Sequence, residues 1–280
     1  MPRERLISFV LNPDDKEKFN MQLYIFGSCS GTEPMEGRHH TSLAIEIEGR
    51  LYWFDAGENC SYTAHLMGVD LLCVSDIFIS HTHMDHVGGL GNLLWNIRKL
   101  SNVKKRLPDF GDVKVYIPNR NTFDAILTVL KNAEGNYKTE YKTLVEEIED
   151  SVLLRNKDIE VIAKHNLHLP RKEHGWESFS FGITAQDKKI IYSADVKGLD
   201  DLSEFLDQGC DLLLMETGHH KAEDVCQTIV DRGYAVKNLY FLHHGRGILY
   251  DFEGSLERCR QIFPNVCFCN DADVFDLEKL

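Results

Sequence analysis

The chain has 280 residues, of which 43% are hydrophobic and 27% are charged, so it can bury one large core or two smaller ones. Its net charge is −13 with histidine neutral, which disfavours tight, non-specific binding to nucleic-acid phosphates. Its apolar stretches are much shorter than a bilayer-crossing segment, so a membrane partner is not expected.

Two features bear on the cellular compartment. Residues 1–20 are charged and interrupted by prolines, so they do not resemble a secretory signal. Eight cysteines are spread along the chain, and Cys73, Cys226 and Cys259 fall in apolar runs. We therefore expect reduced, mostly buried thiols in a cytoplasmic protein.

The first half alternates between strand and helix patterns. Residues 41–49 and 50–57 predict a hairpin that turns at Gly49. A short buried strand at residues 76–81 leads through a glycine pair into a helix at residues 89–100, whose apolar residues fall on one stripe. The other predicted elements of this half are strands at residues 21–28 and 112–118 and a helix at residues 121–133.

A polar, charged segment follows at residues 134–158. It contains the acidic run EEIED and lacks a clear apolar period. We interpret it as a surface helix or an irregular connector, and we expect no catalytic group within it.

The second half shows the same mixture of predicted strands and helices as the first. Residues 178–186 and 188–195 predict a hairpin that turns near Asp187, and a helix at residues 221–233 stops at Gly233. Further strands are predicted at residues 158–165, 211–217, 238–244 and 265–270, with a helix at residues 255–263. Both halves mix hairpins with helix crossovers, which predicts an α/β fold of two packed sheets with helices outside.

The stretch FISHTHMDHVGGL places His81, His83, Asp85 and His86 within six positions, directly after a buried strand. A turn between a strand and a helix can direct several side chains into one cavity. Imidazole and carboxylate groups bind zinc, manganese or iron. We therefore interpret this turn as a metal site rather than as four structural polar residues.

Single histidines and aspartates follow other predicted strands. His165 and His168 follow one strand, Asp195 ends another, and His243 and His244 end a third. Such positions commonly carry binding-site side chains. They offer the further ligands that two metal ions need beyond those of the HTHMDH turn.

This order of residues resembles the metallo-β-lactamase superfamily in its ribonuclease Z-like phosphodiesterase branch, which includes the anti-Pycsar cyclic-nucleotide phosphodiesterases. The HxHxDH signature stands as HTHMDH, and FDAGEN looks like the family's aspartate–glycine turn, whose Asp55 supports the metal turn. The resemblance extends from Met21 to the last strand. It implies a four-layer αβ/βα sandwich and one domain over residues 1–280, with a polar insert or connector near residues 134–158.

The resemblance also implies a centre of two divalent ions, with zinc as first choice and manganese or iron as alternatives. Asp195 is the expected bridge, and strand register places His243 rather than His244 in the second ligand set. Two adjacent ions can share a water, generate hydroxide near neutral pH and hold a phosphoryl oxygen. The first ion is expected to bind His81, His83 and His168, and the second Asp85, His86 and His243.

The third histidine of the first ion is open between His165, His168 and His174. The family places it shortly before a strand such as the one at residues 178–186. His168 begins the stretch HLP, which resembles the family pattern of histidine, aliphatic residue and proline, so we choose His168.

LLLMETGHH resembles the part of the branch that protonates the leaving group. A glutamate after a buried strand and a histidine that opens the next helix form the family's pair, and Glu216 and His220 match them by position. His219 is the rival donor, and solvated cap residues are the alternative explanation. Together with Asp85 of the metal turn, Glu216 and His220 are the expected catalytic residues.

These features predict a dinuclear metal-dependent hydrolase. We expect a phosphodiesterase that cleaves a small phosphodiester, such as a cyclic nucleotide, through a hydroxide bridging the metals, with Arg246 as a further phosphate contact. One alternative is a ribonuclease Z-type endonuclease that processes the tRNA 3′ end, which the acidic segment at residues 134–158 and the net charge disfavour. The other is a non-catalytic metal-binding sensor. Relatives of this branch commonly dimerise, so a homodimer is expected.

Overall fold

The computed structural model describes residues 21–173 and 175–280. The predictions for residues 1–20 and for His174 lie outside the described residues.

The first half of the chain builds one seven-stranded sheet in the order β14-β1-β2-β3-β4-β5-β6. Its first three strands are antiparallel, and β3 to β6 are parallel. A short strand from the C-terminus, which the sequence did not predict, completes the edge beside β1. The strands are β1 Met21–Gly27, β2 Ser42–Ile47, β3 Arg50–Phe54, β4 Val74–Phe78, β5 Val113–Ile117, β6 Thr143–Glu147 and β14 Val274–Asp276.

The second half builds another seven-stranded sheet, in the order β13-β12-β11-β10-β9-β8-β7. Strands β7 to β10 are antiparallel, and β10 to β13 are parallel, so the carboxyl ends of β10, β11 and β12 meet at one edge. The strands are β7 Ser151–Arg155, β8 Ile159–His165, β9 Phe179–Ala185, β10 Lys188–Tyr192, β11 Cys210–Thr217, β12 Val236–His244 and β13 Val266–Phe268.

Helices connect the parallel strands in both halves. The α-helices are α1 Cys60–Leu66, α2 Met84–Val87, α3 Leu90–Lys104, α4 Arg120–Asn132, α5 Ser203–Leu206, α6 Ala222–Arg232, α7 Arg246–Leu249 and α8 Phe252–Ile262. Short 3₁₀ helices lie at Leu71–Cys73, Glu134–Tyr137, Leu199–Leu202 and Leu277–Lys279. Among the described residues, no helix is both long enough and apolar enough to cross a bilayer.

Three apolar cores separate four layers. Because side chains alternate along a strand, Tyr52 and Phe54 of β3 enter the core between the two sheets, whereas Leu51 and Trp53 pack on the other face with α3. The second sheet does the same, and its outer face packs against α6 and α8. The order is therefore helices, sheet, sheet, helices, and the predicted αβ/βα sandwich is confirmed.

The segment at residues 134–158 is neither a surface helix nor an irregular connector. After one 3₁₀ turn it supplies β6 to the edge of the first sheet and β7 to the edge of the second. An edge strand pairs on one side only and is half exposed, so polar and charged residues suit it. Because so many of these residues are polar, the sequence shows no clear alternation that would predict a strand here.

Candidate metal centre

The HTHMDH turn lies between β4 and α3. His83 caps the four-residue helix α2 in an extended conformation, and α2 then carries Asp85 and His86. The turn packs backbone to backbone on the segment after β3, because a Cβ on Gly89 would lie 2.1 Å from the carbonyl oxygen of Gly57. Only glycine permits this approach, which fixes the turn against the first sheet.

The second half contributes three separate residues to the same place. Asp195 follows β10, His243 lies near the end of β12, and His168 lies in the loop between β8 and β9. His83 Nδ1 lies 3.4 Å from His168 Nε2, so the two halves meet here. All seven predicted ligands converge in two groups, each with donor atoms within 4.8 Å of one another: His81, His83, His168 and Asp195, and Asp85, His86, Asp195 and His243.

Asp195 belongs to both groups and presents a different oxygen to each. Its Oδ2 lies 3.7 Å from His81 Nε2 and 3.6 Å from His168 Nε2. Its Oδ1 lies 3.3 Å from His86 Nε2 and 3.2 Å from His243 Nε2. Asp195 therefore faces both groups, and its role as the bridge between two ions stays a prediction.

Asp55 supports the turn from behind, as the aspartate–glycine motif suggests. Its Oδ1 accepts the backbone N–H of Ser80 at 2.7 Å, and its Oδ2 accepts the ring Nδ1–H of His86 at 2.8 Å. This bond leaves Nε2 of His86 free to face Asp195. The Tyr192 hydroxyl also donates to Asp55 Oδ2, at 2.6 Å. The sequence analysis missed Tyr192, because a tyrosine in a buried strand reads as a core residue.

Two residues of the centre adopt left-handed backbone conformations, His243 with φ 52° and Ala194, directly before Asp195, with φ 48°. The register between β11 and β12 shifts at His243, which turns its side chain into the site. His244 points elsewhere, since its Nε2 donates to the Cys269 carbonyl at 2.9 Å. Of these two histidines, His243 is the one that belongs to a donor group, and its role as a metal ligand stays a prediction.

Burial sets the protonation states of several of these groups. It lowers the pKa of His81 well below the ordinary value, and it lowers the pKa of His168. Burial disfavours ionisation of Asp195, but the neighbouring imidazoles, chiefly those of His243 and His86, outweigh it and hold the pKa of this carboxyl below its usual range. Burial also opposes protonation of His86 and His243, but Asp195 outweighs it and raises the pKa of His86, and that of His243 to about 9. Divalent cations bind neutral imidazoles and ionised carboxylates, so binding an ion would release protons from His86 and His243.

Unpaired buried atoms test whether the centre suits metal ions. His81 Nε2, His86 Nε2 and Asp195 Oδ1 are all buried and have no hydrogen-bond partner among the described residues. Such atoms are costly unless something else satisfies them. They point toward each other within the two groups, and the donors are imidazole nitrogens and carboxylate oxygens. The residues therefore fit two divalent ions.

Glu216 lies at the end of β11, beside the two groups. Its Oε2 accepts the backbone N–H of His219 at 2.8 Å, and its Oε1 lies 3.1 Å from His219 Nδ1. Glu216, His219 and His243 could form a third donor group, but these hydrogen bonds already occupy the carboxylate. The bond to Glu216 raises the pKa of His219 and outweighs burial. The pair is therefore better suited to holding a proton.

His219 and His220 face different surroundings. The His219 ring lies 5.0 Å from the His168 ring, and its Nδ1 lies 3.9 Å from Asp195 Oδ2. His220 also reaches Glu216, at 3.3 Å, but its Nε2 donates to the Val196 carbonyl at 3.0 Å. Of the two, His219 is the residue that faces the metal groups, whereas the sequence analysis had chosen His220.

Two other predicted candidates lie apart from the ligand groups. His165 pairs with Asp150 at 2.6 Å and stacks on Trp176 with ring centroids 4.0 Å apart. Arg246 forms an exposed ion pair with Glu33. Arg246 nevertheless lines a cavity of about 680 Å³ that His219 and His220 also line, directly beside the metal groups.

The family model of the anti-Pycsar protein Apyc1 matches residues 21–229, which is most of the chain. The chain belongs to this family. The match runs from β1 into α6, so it includes the HTHMDH turn, His168, Asp195 and Glu216, and His243 lies beyond it.

Ribonuclease Z proteins are also similar to this member of the Apyc1 family. The ribonuclease Z of Treponema pallidum (strain Nichols) is 43% identical over 75 residues, which cover 27% of this chain and 24% of that protein. The ribonuclease Z of Picrophilus torridus is 23% identical over 300 residues, covering 91% and 95% of the two chains. The higher identity thus spans only about a quarter of that relative's length.

A solved structure supports the fold independently. The metallo-β-lactamase fold protein YhfI from Bacillus subtilis superposes with a TM-score of 0.69 at 16% identity, and the match covers 91% of this chain and 99% of YhfI. At this identity the likeness establishes the fold. With the family match, it confirms the predicted metallo-β-lactamase superfamily and its ribonuclease Z-like branch.

Proposed function

We propose that the protein is a dinuclear metal-dependent phosphodiesterase that cleaves a small phosphodiester such as a cyclic nucleotide. One observation carries this proposal: two adjacent groups of buried donor atoms share Asp195, and several of these atoms lack any partner among the described residues. Buried polar atoms left unpaired in this way are typical of functional sites. The alternative of a non-catalytic sensor does not account for the Glu216–His219 pair beside them.

Each of the two donor groups would hold one ion, and Asp195 offers a different oxygen to each group. His81, His83 and His168 would hold the first ion with Oδ2, and Asp85, His86 and His243 the second with Oδ1. Mixed nitrogen and oxygen donors suit zinc first, and also manganese or iron. Bound there, the ions would polarise a phosphoryl oxygen and make water more acidic.

We assign proton donation to His219 rather than to His220. Nδ1 of His219 is hydrogen-bonded to Glu216, which leaves Nε2 to carry the proton that is donated. Nε2 of His220 is already engaged by the Val196 carbonyl. In the hydrolysis of a 3′,5′-cyclic nucleotide, water oxygen bonds to phosphorus and loses one proton to solvent. The bond from phosphorus to the 3′ oxygen breaks, that oxygen takes the proton from His219, and solvent then reprotonates His219.

The size and charge of the surroundings favour a small substrate. The cavity of about 680 Å³ beside His219 lies within the range typical of small-molecule sites. Residues 134–158 form two edge strands with an acidic sequence, so this segment offers no basic surface for tRNA. Trimming of the tRNA 3′ end is the second candidate, and the similarity to ribonuclease Z proteins is the observation that favours it.

A substrate panel tests the proposal. Purified protein of measured metal content is incubated with 3′,5′-cyclic nucleotides and with precursor tRNA, and products are resolved by chromatography and gel electrophoresis. We expect ring opening of at least one cyclic nucleotide to exceed tRNA trimming. Efficient trimming without turnover of any cyclic nucleotide would favour a ribonuclease Z-type endonuclease. Metal binding with no hydrolysis would favour a sensor. Light scattering on the same sample checks the predicted homodimer.

A further inference from the structure

A second cavity lies at the far end of α3 from the HTHMDH turn. It has a volume of about 250 Å³ and is lined by Arg98, Ser101, Lys105 and Tyr141 among others. At 1.5 Å per residue, these α3 positions lie roughly 12–22 Å along the helix from its start beside the turn. The cavity is therefore separate from the candidate metal centre.

Among the described residues, Arg98 is a mostly buried cation without a carboxylate partner. It is 8% exposed, and its Nε donates to the Lys138 carbonyl at 3.1 Å. Within the described residues, it forms no ion pair, and its terminal nitrogens donate no hydrogen bond to the protein. Its terminal nitrogens are not among the fully buried atoms, so they open on the cavity. A partly desolvated guanidinium in this position binds an anion more strongly than it binds water.

Tyr141 adds a second unsatisfied group to the same cavity. The residue is 6% exposed, and its buried hydroxyl has no well-aligned hydrogen-bond partner among the described residues. Burial first, and then the nearby Tyr137 hydroxyl, raise the pKa of Tyr141. Buried hydroxyls are nearly always paired in folded proteins. A ligand that accepts hydrogen bonds in this cavity would pair with Arg98 and would compete with Tyr137 for the Tyr141 hydroxyl.

The lining is predominantly positive. Arg98, Lys105 and Arg106 are cationic, and Glu140 is the one carboxylate among the lining residues. Arg106 is paired with both Asp70 and Asp109, whereas Lys105 forms no ion pair with a described residue, so Arg98 and Lys105 supply the positive charge. In a protein of net charge −13, such a local excess of positive charge favours an anionic ligand.

We propose that this cavity binds a small oxyanion of the phosphate type, independently of the proposed function. The planar guanidinium of Arg98 offers two parallel donors to such an anion, and the Tyr141 hydroxyl offers a third. The volume of about 250 Å³ lies below the range typical of drug-sized ligands, so the ligand is inorganic phosphate or a small phosphomonoester rather than a whole nucleotide.

Hydrogen–deuterium exchange on the full-length, metal-loaded protein tests the site locally, because phosphate also binds dinuclear metal centres. Inorganic phosphate and glycerol 3-phosphate are titrated in parallel. We expect slower, saturable exchange in peptides that cover residues 95–107 and 137–143, scored apart from the HTHMDH turn. The ligand with the lower half-saturation concentration identifies the source of the phosphate group, and saturation by either supports the site.

Lys105→Ala and Lys104→Ala form a matched pair. Each removes one positive charge from the same end of α3, but only Lys105 lines the cavity, and Lys104 instead pairs with Asp70. We expect Lys105→Ala to raise the half-saturation concentration about two- to fivefold, as for an exposed charge, and Lys104→Ala to leave it unchanged. Tyr141→Phe should raise it about tenfold, because it removes a hydrogen bond to a charged group.

Arg98→Lys should raise the half-saturation concentration by about tenfold or more. If this variant fails to fold, the Lys105 and Tyr141 variants decide the question. A purely structural Arg98, which holds residues 138–141 through the Lys138 carbonyl, predicts no phosphate-dependent change in these peptides. That result, slowing confined to the HTHMDH turn, or equal effects of the two lysine variants would overturn the proposal.

Discussion

The two halves of the sandwich contribute to the candidate metal centre in different ways. The first half supplies four donor residues from one turn, His81 to His86, and supports that turn through Asp55. The second half supplies His168 from the loop between β8 and β9, Asp195 from the segment after β10 and His243 from β12. A local turn therefore meets a set of residues that only the packing of a whole sheet brings together.

The donor residues of the two halves are held in place by different kinds of contact. The first-half donors are held by short-range contacts, such as the approach of Gly89 to Gly57. The second-half donors depend on strand register and on the left-handed backbone at His243. The two halves are also linked directly, since Tyr192 of the second sheet donates to Asp55 of the first. Substitutions in each half should therefore have distinguishable effects.

The largest effect is expected at Asp195, which faces both ligand groups. Asp195→Ala should lower the metal content from two ions per chain toward one, and slow hydrolysis of bis(4-nitrophenyl) phosphate by about a thousandfold or more, since metal catalysis contributes several kcal/mol. Elemental analysis and initial rates measure both. Asp200→Ala, which removes an exposed carboxylate nearby, serves as control. Two ions and full activity in Asp195→Ala would contradict the bridging assignment.

The next effect concerns the proton donor. His219→Ala should keep both ions and lose about 10²–10⁴-fold in kcat on a cyclic nucleotide, whose leaving oxygen needs a proton. It should lose much less on bis(4-nitrophenyl) phosphate, because nitrophenolate leaves without protonation. His220→Ala is the matched control and should be milder. A larger loss in His220→Ala would return the role to His220, and equal losses on both substrates would remove it from His219.

His168 tests the contribution of the second half to the first ion. His168→Ala should weaken metal binding by at least about 100-fold, because even residues that only support ligands are worth 10–100-fold. His165→Ala should change it little, since His165 pairs with Asp150 and stacks on Trp176. Competition with a fluorescent chelator measures both affinities. The opposite ranking would move the ligand to His165.

The smallest effect is expected for Asp55 and Tyr192, which support the ligand His86 instead of binding an ion. Asp55→Asn should weaken metal binding by about 10–100-fold, because the carboxylate that orients His86 is replaced by an amide. Tyr192→Phe removes one donor to Asp55 and should have a smaller effect. Chelator competition and a thermal melt distinguish lost affinity from unfolding. Unchanged affinity in a folded Asp55→Asn protein would mean that the turn needs no such support.

Much of the fold followed from the sequence. Alternating and helical apolar patterns predicted most of the buried elements, because those residues carry the core on one face. The pattern failed at the edges, where β6, β7 and β14 are short or half exposed and need few apolar residues. The family resemblance supplied the four-layer arrangement, which the three apolar cores confirm.

The residues of the candidate site also fall into those that the sequence predicted and those that it did not. The HTHMDH turn was readable because its donors are neighbours in the chain, and the single residues at strand ends were readable because the family order names them. Neither the part played by Tyr192 nor the separate surroundings of His219 and His220 could be read in this way. Those two histidines are adjacent in the chain, and their roles depend on which one faces Asp195 and which meets the Val196 carbonyl. Such contacts join residues that are distant in the chain. The contacts of the two histidines form when β10 and β11 pair, and Tyr192 meets Asp55 only after the two sheets have packed.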